Sequence, residues 1–226
     1  MTTTGQLPPS ERQRSKPVTG RSRDMVILAD KAIFKLAKHW LALVNIFWAL
    51  YVGLPVLAPV LMDAGWTLPA NVIYTLYRTA CHQRPERSYF VGGPELTYSP
   101  EELAAAGVDL DPFVRDIGNA QVGWKVAFCE RDVAIYGSIL LGGLVYGLVR
   151  RRLRGWRMPF RVFLLFLIPM GIDGVLQLFG FYESTWLVRT ITGTIFGLGA
   201  VFFAYPHLEE GFADIRRTVN QKLYLE

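Results

Sequence analysis

Four long apolar blocks constrain this chain more than any other feature of its sequence. They cover Trp40–Met62, Val133–Val149, Phe160–Phe179 and Trp186–Tyr205. Each is close to the roughly 20 residues that an α-helix needs to cross about 30 Å of bilayer hydrocarbon. Only helices and closed barrels satisfy their backbone hydrogen bonds in lipid, and the sequence lacks the alternation of barrel strands. The sequence therefore predicts an all-α, multi-pass integral membrane protein with four transmembrane helices.

The distribution of positive charge predicts the orientation of these helices. Residues 1–39, the loop after the second block and the C-terminal tail hold 16 lysines and arginines, against 6 in residues 63–132. Because cytoplasmic segments carry the excess of positive charge, we expect an N-in, C-in protein of the cell (plasma) membrane. The net charge of +5 is thus explained by residues that flank the spans. We expect the lipid bilayer as a partner and no nucleic acid.

The polar segments divide the rest of the chain. Residues 1–24 are rich in Ser, Thr, Pro and Arg, which predicts a disordered basic tail. Residues 25–38 predict a short amphipathic helix on the membrane surface or an extension of the first span. A four-helix membrane domain is expected over residues 39–206, with an outer loop at 63–132. Residues 207–226 are predicted to form a cytoplasmic C-terminal tail.

Two short helices are predicted inside the outer loop. The first covers Leu68–Ala80, with Pro69 in its first turn. The second begins after Ser99, where proline and two acids follow, and Gly107 ends it. The remainder of the loop shows no periodicity and is predicted to be irregular.

The unusual polar residues gather at the predicted outer ends of the helices. Cys81–Ser88 and Cys129–Asp132 contain both cysteines of the chain and one of its three histidines. Asp173 lies in the outer half of the third span, and Arg189 lies near the outer end of the fourth. A charge at membrane depth is costly and faces a partner or a cavity. We therefore expect one polar pocket with Asp173 paired to Arg189.

The cysteine motifs allow more than one chemistry. Cys81, His82 and Cys129, with Asp132 or water as a fourth ligand, would suit a borderline-soft cation such as zinc. The spacing does not match a standard metal motif, and adjacent Cys and His ligands are geometrically awkward. A Cys81–Cys129 disulfide closing the outer loop is the second interpretation.

Three further interpretations of these polar residues are an anion site, an enzyme and a structural subunit. Guanidinium groups would grip an anionic ligand, such as a phosphate or a lipid headgroup, through forked hydrogen bonds. A membrane-embedded enzyme that uses Cys, His and Asp is an alternative, with no catalytic residue assigned. A structural subunit, docking through the glycine-rich faces of the second and fourth spans in a homo- or hetero-oligomer, is another. The residues predicted for the anionic or polar pocket are Gln83, Arg84, Arg87, Ser88, Arg131, Asp173, Gln177 and Arg189.

These motifs also resemble those of a known family. Cys81–Phe90 is similar to the CHQRPERSF-type signature of a prokaryotic membrane-protein family of unknown function, DUF2085. Cys129–Asp132, ahead of a glycine-rich span, resembles the second signature of that family. Asp173 with Gln177, and then Arg189–Gly193, resemble its third and fourth. The resemblance implies a shared outer-facing polar site and supplies no activity.

Overall fold

The computed structural model describes residues 20–223 and is mainly α-helical. Within these residues, four helices are long and apolar enough to cross a membrane: α1 (Arg21–Asp63), α4 (Glu130–Val149), α5 (Phe160–Leu178) and α6 (Trp186–Leu223). The predicted fold class, an all-α protein with four spans, is therefore confirmed. The bounds of α4 and α5 follow the second and third apolar blocks closely.

The first and last long helices extend beyond the predicted spans. Helix α1 begins at Arg21, so the predicted amphipathic segment 25–38 continues without a break into the first span. Helix α6 likewise runs through most of the predicted C-terminal tail. Of the predicted disordered tail, residues 1–19 lie outside the described residues.

The chain divides into two compact units. One comprises the residues up to Lys38 and those from Ala213 onward, and within it Arg216 donates a 2.8 Å hydrogen bond to the carbonyl of Ala37. The other, from His39 to Phe212, contains the four apolar segments and the predicted polar residues.

Two prolines in α1 create attachment points for the segment that follows. Pro55 and Pro59 have no N–H, so the carbonyls four residues earlier lose their helical donors. The hydroxyl of Tyr77 donates to the first of these carbonyls, on Tyr51, over 3.0 Å. The backbone N–H of Ala127 donates to the second, on Pro55, over 3.1 Å. The proline-rich part of the span thus remains helical and binds the intervening segment at two points.

The segment between α1 and α4 folds into short elements. They are α2 (Thr67–Tyr77), a 3₁₀ turn (Pro85–Arg87), β1 (Phe90–Val91), α3 (Pro100–Ala105), β2 (Gly118–Asn119) and β3 (Gly123–Lys125). The predicted start of α3 is confirmed, because Ser99 and Glu102 form a reciprocal capping box.

A three-stranded antiparallel sheet is the feature of this segment that the sequence did not predict. Strand β3 lies between β1 and β2, with Phe90 opposite Lys125 and Gly118 opposite Trp124. Strands of two or three residues are too short to show an alternating pattern. Gly123 has a φ of +80°, and a Cβ there would collide with the backbone of β1. Glycine is therefore required at the start of β3.

Glycines bring α4 and α6 close together. A Cβ at Gly193 would lie 3.0 Å from Ala134, and one at Gly197 would clash with Ser138. Gly142 faces Val201 in the same way. At these three positions the glycine faces are occupied inside the chain, whereas a Cβ at Gly137 of α4 would meet nothing within 4 Å among the described residues.

Candidate functional site

The Cys81–Ser88 segment follows directly from the end of α2. The N–H of Cys81 donates to the carbonyl of Tyr77 over 3.0 Å, which closes the last turn. Gln83 has a φ of +51°, an uncommon left-handed conformation for a residue other than glycine. Pro85 then starts the 3₁₀ turn, and the Ser88 hydroxyl donates to the carbonyl of Arg84 over 2.8 Å.

The buried side chains of Gln83 and Lys125 fix this segment to its neighbours through hydrogen bonds. Both side chains are fully buried. The Gln83 amide donates to the carbonyls of Tyr74 (3.0 Å) and Ala127 (3.1 Å). The Lys125 ammonium donates to the carbonyls of Gln83 and Arg115. Burial lowers the pKa of Lys125 to about 7.

The two cysteine segments meet at one point. The N–H of Cys129 donates to Cys81 Sγ over 3.2 Å. One ligand atom from each of Cys81, His82 and Cys129 lies within 4.8 Å of the others, with both cysteines buried and the histidine exposed. Both cysteines are free thiols, so the structure does not contain the disulfide considered from the sequence.

The pKa shifts of Cys81 and His82 favour metal ligation, whereas the raised pKa of Cys129 keeps that thiol protonated until a metal displaces its proton. A hydrogen bond from the Cys129 thiol holds the pKa of Cys81 below its usual value. The same hydrogen bond, together with burial, raises the pKa of Cys129. Burial lowers the pKa of His82, which keeps the ring neutral at pH 7. Its Nδ1 accepts a 3.2 Å hydrogen bond from the N–H of Arg84, so a metal would have to replace that bond or change the tautomer.

Two ion pairs lie beside the thiols, and their pairing differs from the prediction. Arg189 pairs with Glu130 over 2.8 Å, and both side chains are buried. Asp173 pairs with Arg131. The predicted Asp173–Arg189 pair is therefore wrong: α4 places Glu130 and Arg131 at its first turn, where each reaches one of those two groups.

Asp173 is held by further polar groups. It is the one buried residue of α5, whose residues are all described. Gln177, one turn later, donates to its carboxylate over 3.0 Å, and the Tyr182 hydroxyl also donates to it. The bond from Arg131 of α4 to this buried carboxylate fixes α5 to α4.

The two cysteine segments and the two arginines lie around an open pocket of about 260 Å³. It is lined by Ala80, Cys81, His82, Arg87, Cys129, Arg131, Asp132, Gln177 and Arg189. Eight of the predicted site residues are thus brought together. Four are not: Gln83 is buried beneath the segment, Arg84 pairs with Glu86, Ser88 caps the 3₁₀ turn, and Asp173 lies behind Arg131.

The sequence analysis missed several residues that organise this site. Glu130 is the most informative of them, because an acid at the start of an apolar span needs a counter-ion such as Arg189. Tyr89, whose hydroxyl shares a hydrogen bond with Thr190, and Tyr182 gave no sequence signal. Lys125 also gave none, because a lysine in a polar stretch is usually exposed.

Four membrane-length helices with a polar pocket at one end of them define a helical integral membrane protein. Comparison with known proteins gives the same class. The model of a family described as "Predicted membrane protein (DUF2085)" matches residues 120–203. This match confirms the family resemblance and includes Cys129, Asp173 and Arg189, whereas Cys81–Ser88 lies outside it.

One similar relative is an uncharacterised protein of Methanocaldococcus jannaschii. It is 29% identical over 177 residues, which cover 76% of this chain and 93% of the relative. No solved structure gives a significant match.

Proposed function

We propose that this protein is a multi-pass protein of the cell membrane that binds a zinc-type divalent metal ion at Cys81, His82 and Cys129. The observation that carries the proposal is the convergence of these three ligand atoms within 4.8 Å of one another. The two cysteines are 48 residues apart in sequence, so the fold, and not local spacing, creates the cluster.

The donor set suits zinc in type and in number. Thiolate and imidazole are preferred zinc ligands, with bonds of about 2.3 Å to sulfur and 2.0–2.1 Å to nitrogen. Ligand atoms around a tetrahedral ion with such bonds are about 3.5 Å apart, so small side-chain movements would close the cluster. Asp132, which also lines the pocket, is the nearest candidate for a fourth ligand.

The surrounding charges are compatible with a cation. Two thiolates and the Asp132 carboxylate would outweigh the charge of a divalent ion by one. Arg131 and Arg189 are already paired with carboxylates. Arg87, which lines the same pocket, could offset the remaining negative charge. The distribution of positive charge along the sequence supports placing this pocket on the extracytoplasmic side.

The proposal is tested by metal analysis of the full chain in detergent. After removal of metal by a chelator and reloading, we expect about one zinc per chain, as in a structural or catalytic mononuclear site. His82→Ala should lower the affinity by at least tenfold, the minimum seen for loss even of groups that support a ligand. His207→Ala is the matched control, because His207 bonds only to its own helix among the described residues.

The alternatives give different results in the same experiment. A structural subunit without a metal site would retain no zinc, and His82→Ala would then equal His207→Ala. A disulfide-linked protein would show no free thiols after denaturation. Either outcome would overturn the metal proposal.

A further inference from the structure

The metal cluster occupies only part of the pocket, and three arginines line the rest. Arg87, Arg131 and Arg189 all contribute to its wall. Arg87 differs from the other two because its guanidinium makes no ion pair or hydrogen bond with any residue in the range 20–223 that the structure describes. It is half-buried, and burial lowers its pKa, so its positive charge is imperfectly solvated. A charge in such a place is stabilised by an anion.

The two paired arginines retain hydrogen-bonding capacity. Arg189, 7% exposed, gives one terminal nitrogen to Glu130, and Arg131 gives one to Asp173. The Nε atoms of both are buried and have no hydrogen-bond partner among the described residues. Buried donors without partners are rare in native proteins and commonly indicate a ligand or a water. Here two such donors belong to residues that line the same cavity as an unpaired guanidinium.

We propose that this pocket binds a small oxyanion, with Arg87 supplying the charge and Arg131 and Arg189 supplying further donors. Forked guanidinium groups match the geometry of phosphate, sulfate and carboxylate oxygens. The cavity of about 260 Å³ is slightly below the range of about 300–1,000 Å³ for drug-sized ligands, which favours a compact anionic group. That group belongs either to a free anion or to an anionic lipid headgroup.

The oxyanion site does not require the metal, although the two are neighbours. Its three arginines are distinct from Cys81, His82 and Cys129. Asp132 is the one carboxylate in the lining of the pocket, and its negative charge weakens the binding of an anion there. A bound metal would engage Asp132 and both cysteines, so anion binding is measured on metal-free protein.

The test is equilibrium binding of inorganic phosphate to the full chain in a neutral detergent, after removal of metal by a chelator. We expect saturable binding that Arg87→Gln weakens roughly ten- to hundredfold, the range for loss of a hydrogen bond to a charged group. Arg84→Gln is the matched control. Arg84 is three residues away, is paired with Glu86 and does not line the pocket, so its substitution should leave the affinity within about twofold.

A second arm covers a headgroup ligand. Protein extracted from membranes that contain phosphatidylglycerol is analysed for retained lipid. If the site holds a headgroup, wild type and Arg84→Gln retain phosphatidylglycerol, whereas Arg87→Gln loses it. Wild-type protein that binds neither phosphate nor anionic lipid overturns the proposal, as does equal behaviour of Arg87→Gln and Arg84→Gln. Because the first arm uses metal-free protein, its result does not depend on zinc binding, so failure of the metal site is distinguishable from failure of the oxyanion site.

Discussion

The hydroxyl of Tyr77 donates a 3.0 Å hydrogen bond to the main-chain carbonyl of Tyr51, inside helix α1. That carbonyl is free because Pro55, four residues later, has no N–H. We expect Tyr77→Phe to lower the free energy of unfolding by about 1–3 kcal/mol, because it leaves a partly buried acceptor without a donor. The measurement is reversible unfolding in detergent micelles.

A double-mutant cycle identifies the cause. Pro55→Ala restores the helical N–H, so in that background Tyr77→Phe should be less destabilising by about 1 kcal/mol. If the two substitutions are additive, Tyr77 contributes only through packing, and the attachment described for α1 is incorrect.

The buried pair of Glu130 and Arg189 gives a second prediction. Their side chains are 2% and 9% exposed. Glu130→Gln preserves the shape but leaves a buried guanidinium without its counter-ion, so we expect a loss of about 3–5 kcal/mol in detergent unfolding. Asp214→Asn is the control, because Asp214 and Arg217 are 66% and 72% exposed and such pairs are worth about 1 kcal/mol or less. Similar losses for both variants would contradict the assignment.

Lys125 makes stability depend on pH. Its pKa is about 7 in the folded chain and is about 10.4 in an unfolded chain. Between those values the unfolded state binds one more proton, so the free energy of unfolding rises with pH, at most by about 1.4 kcal/mol per pH unit. Below pH 7 both states are protonated and this contribution is constant.

The check is unfolding measured between pH 7 and 10 on wild type and Lys125→Met. The substitution should flatten the rise, whereas Lys222→Met, at an exposed site, should leave it in place. A rise that survives Lys125→Met would mean that another group is responsible.

The four spans were predictable because each is a long run in which many apolar residues indicate the same structure. Some 20 apolar residues in a row admit few alternatives, and the Ser99–Glu102 box carries its own local cap. The sheet was not predictable, because strands of two or three residues are set by tertiary packing around Phe90 and Leu103. The sequence did not decide whether residues 25–38 continue α1. An amphipathic helix has the same pattern of apolar and charged residues on a membrane surface and at the end of a span.

The sequence was sufficient to predict most residues of the pocket, but not which acid forms an ion pair with which arginine. Rare residue types at equal membrane depth placed Cys81, Cys129 and Arg189 in one pocket. Which acid binds which arginine depends on how α4, α5 and α6 are rotated about their axes, and the sequence does not contain that information. Gln83 looked like a pocket residue by sequence position, but its left-handed backbone turns the amide into the interior.

The most direct test of the metal proposal is zinc K-edge X-ray absorption on the full chain, loaded with equimolar zinc and desalted. The account predicts two sulfur neighbours at about 2.3 Å, with nitrogen or oxygen neighbours at about 2.0–2.1 Å. Because Cys81 and Cys129 are the two cysteines of the chain, a two-sulfur shell identifies the site without further assignment. A shell of nitrogen and oxygen alone, or loss of the zinc on desalting, would contradict it.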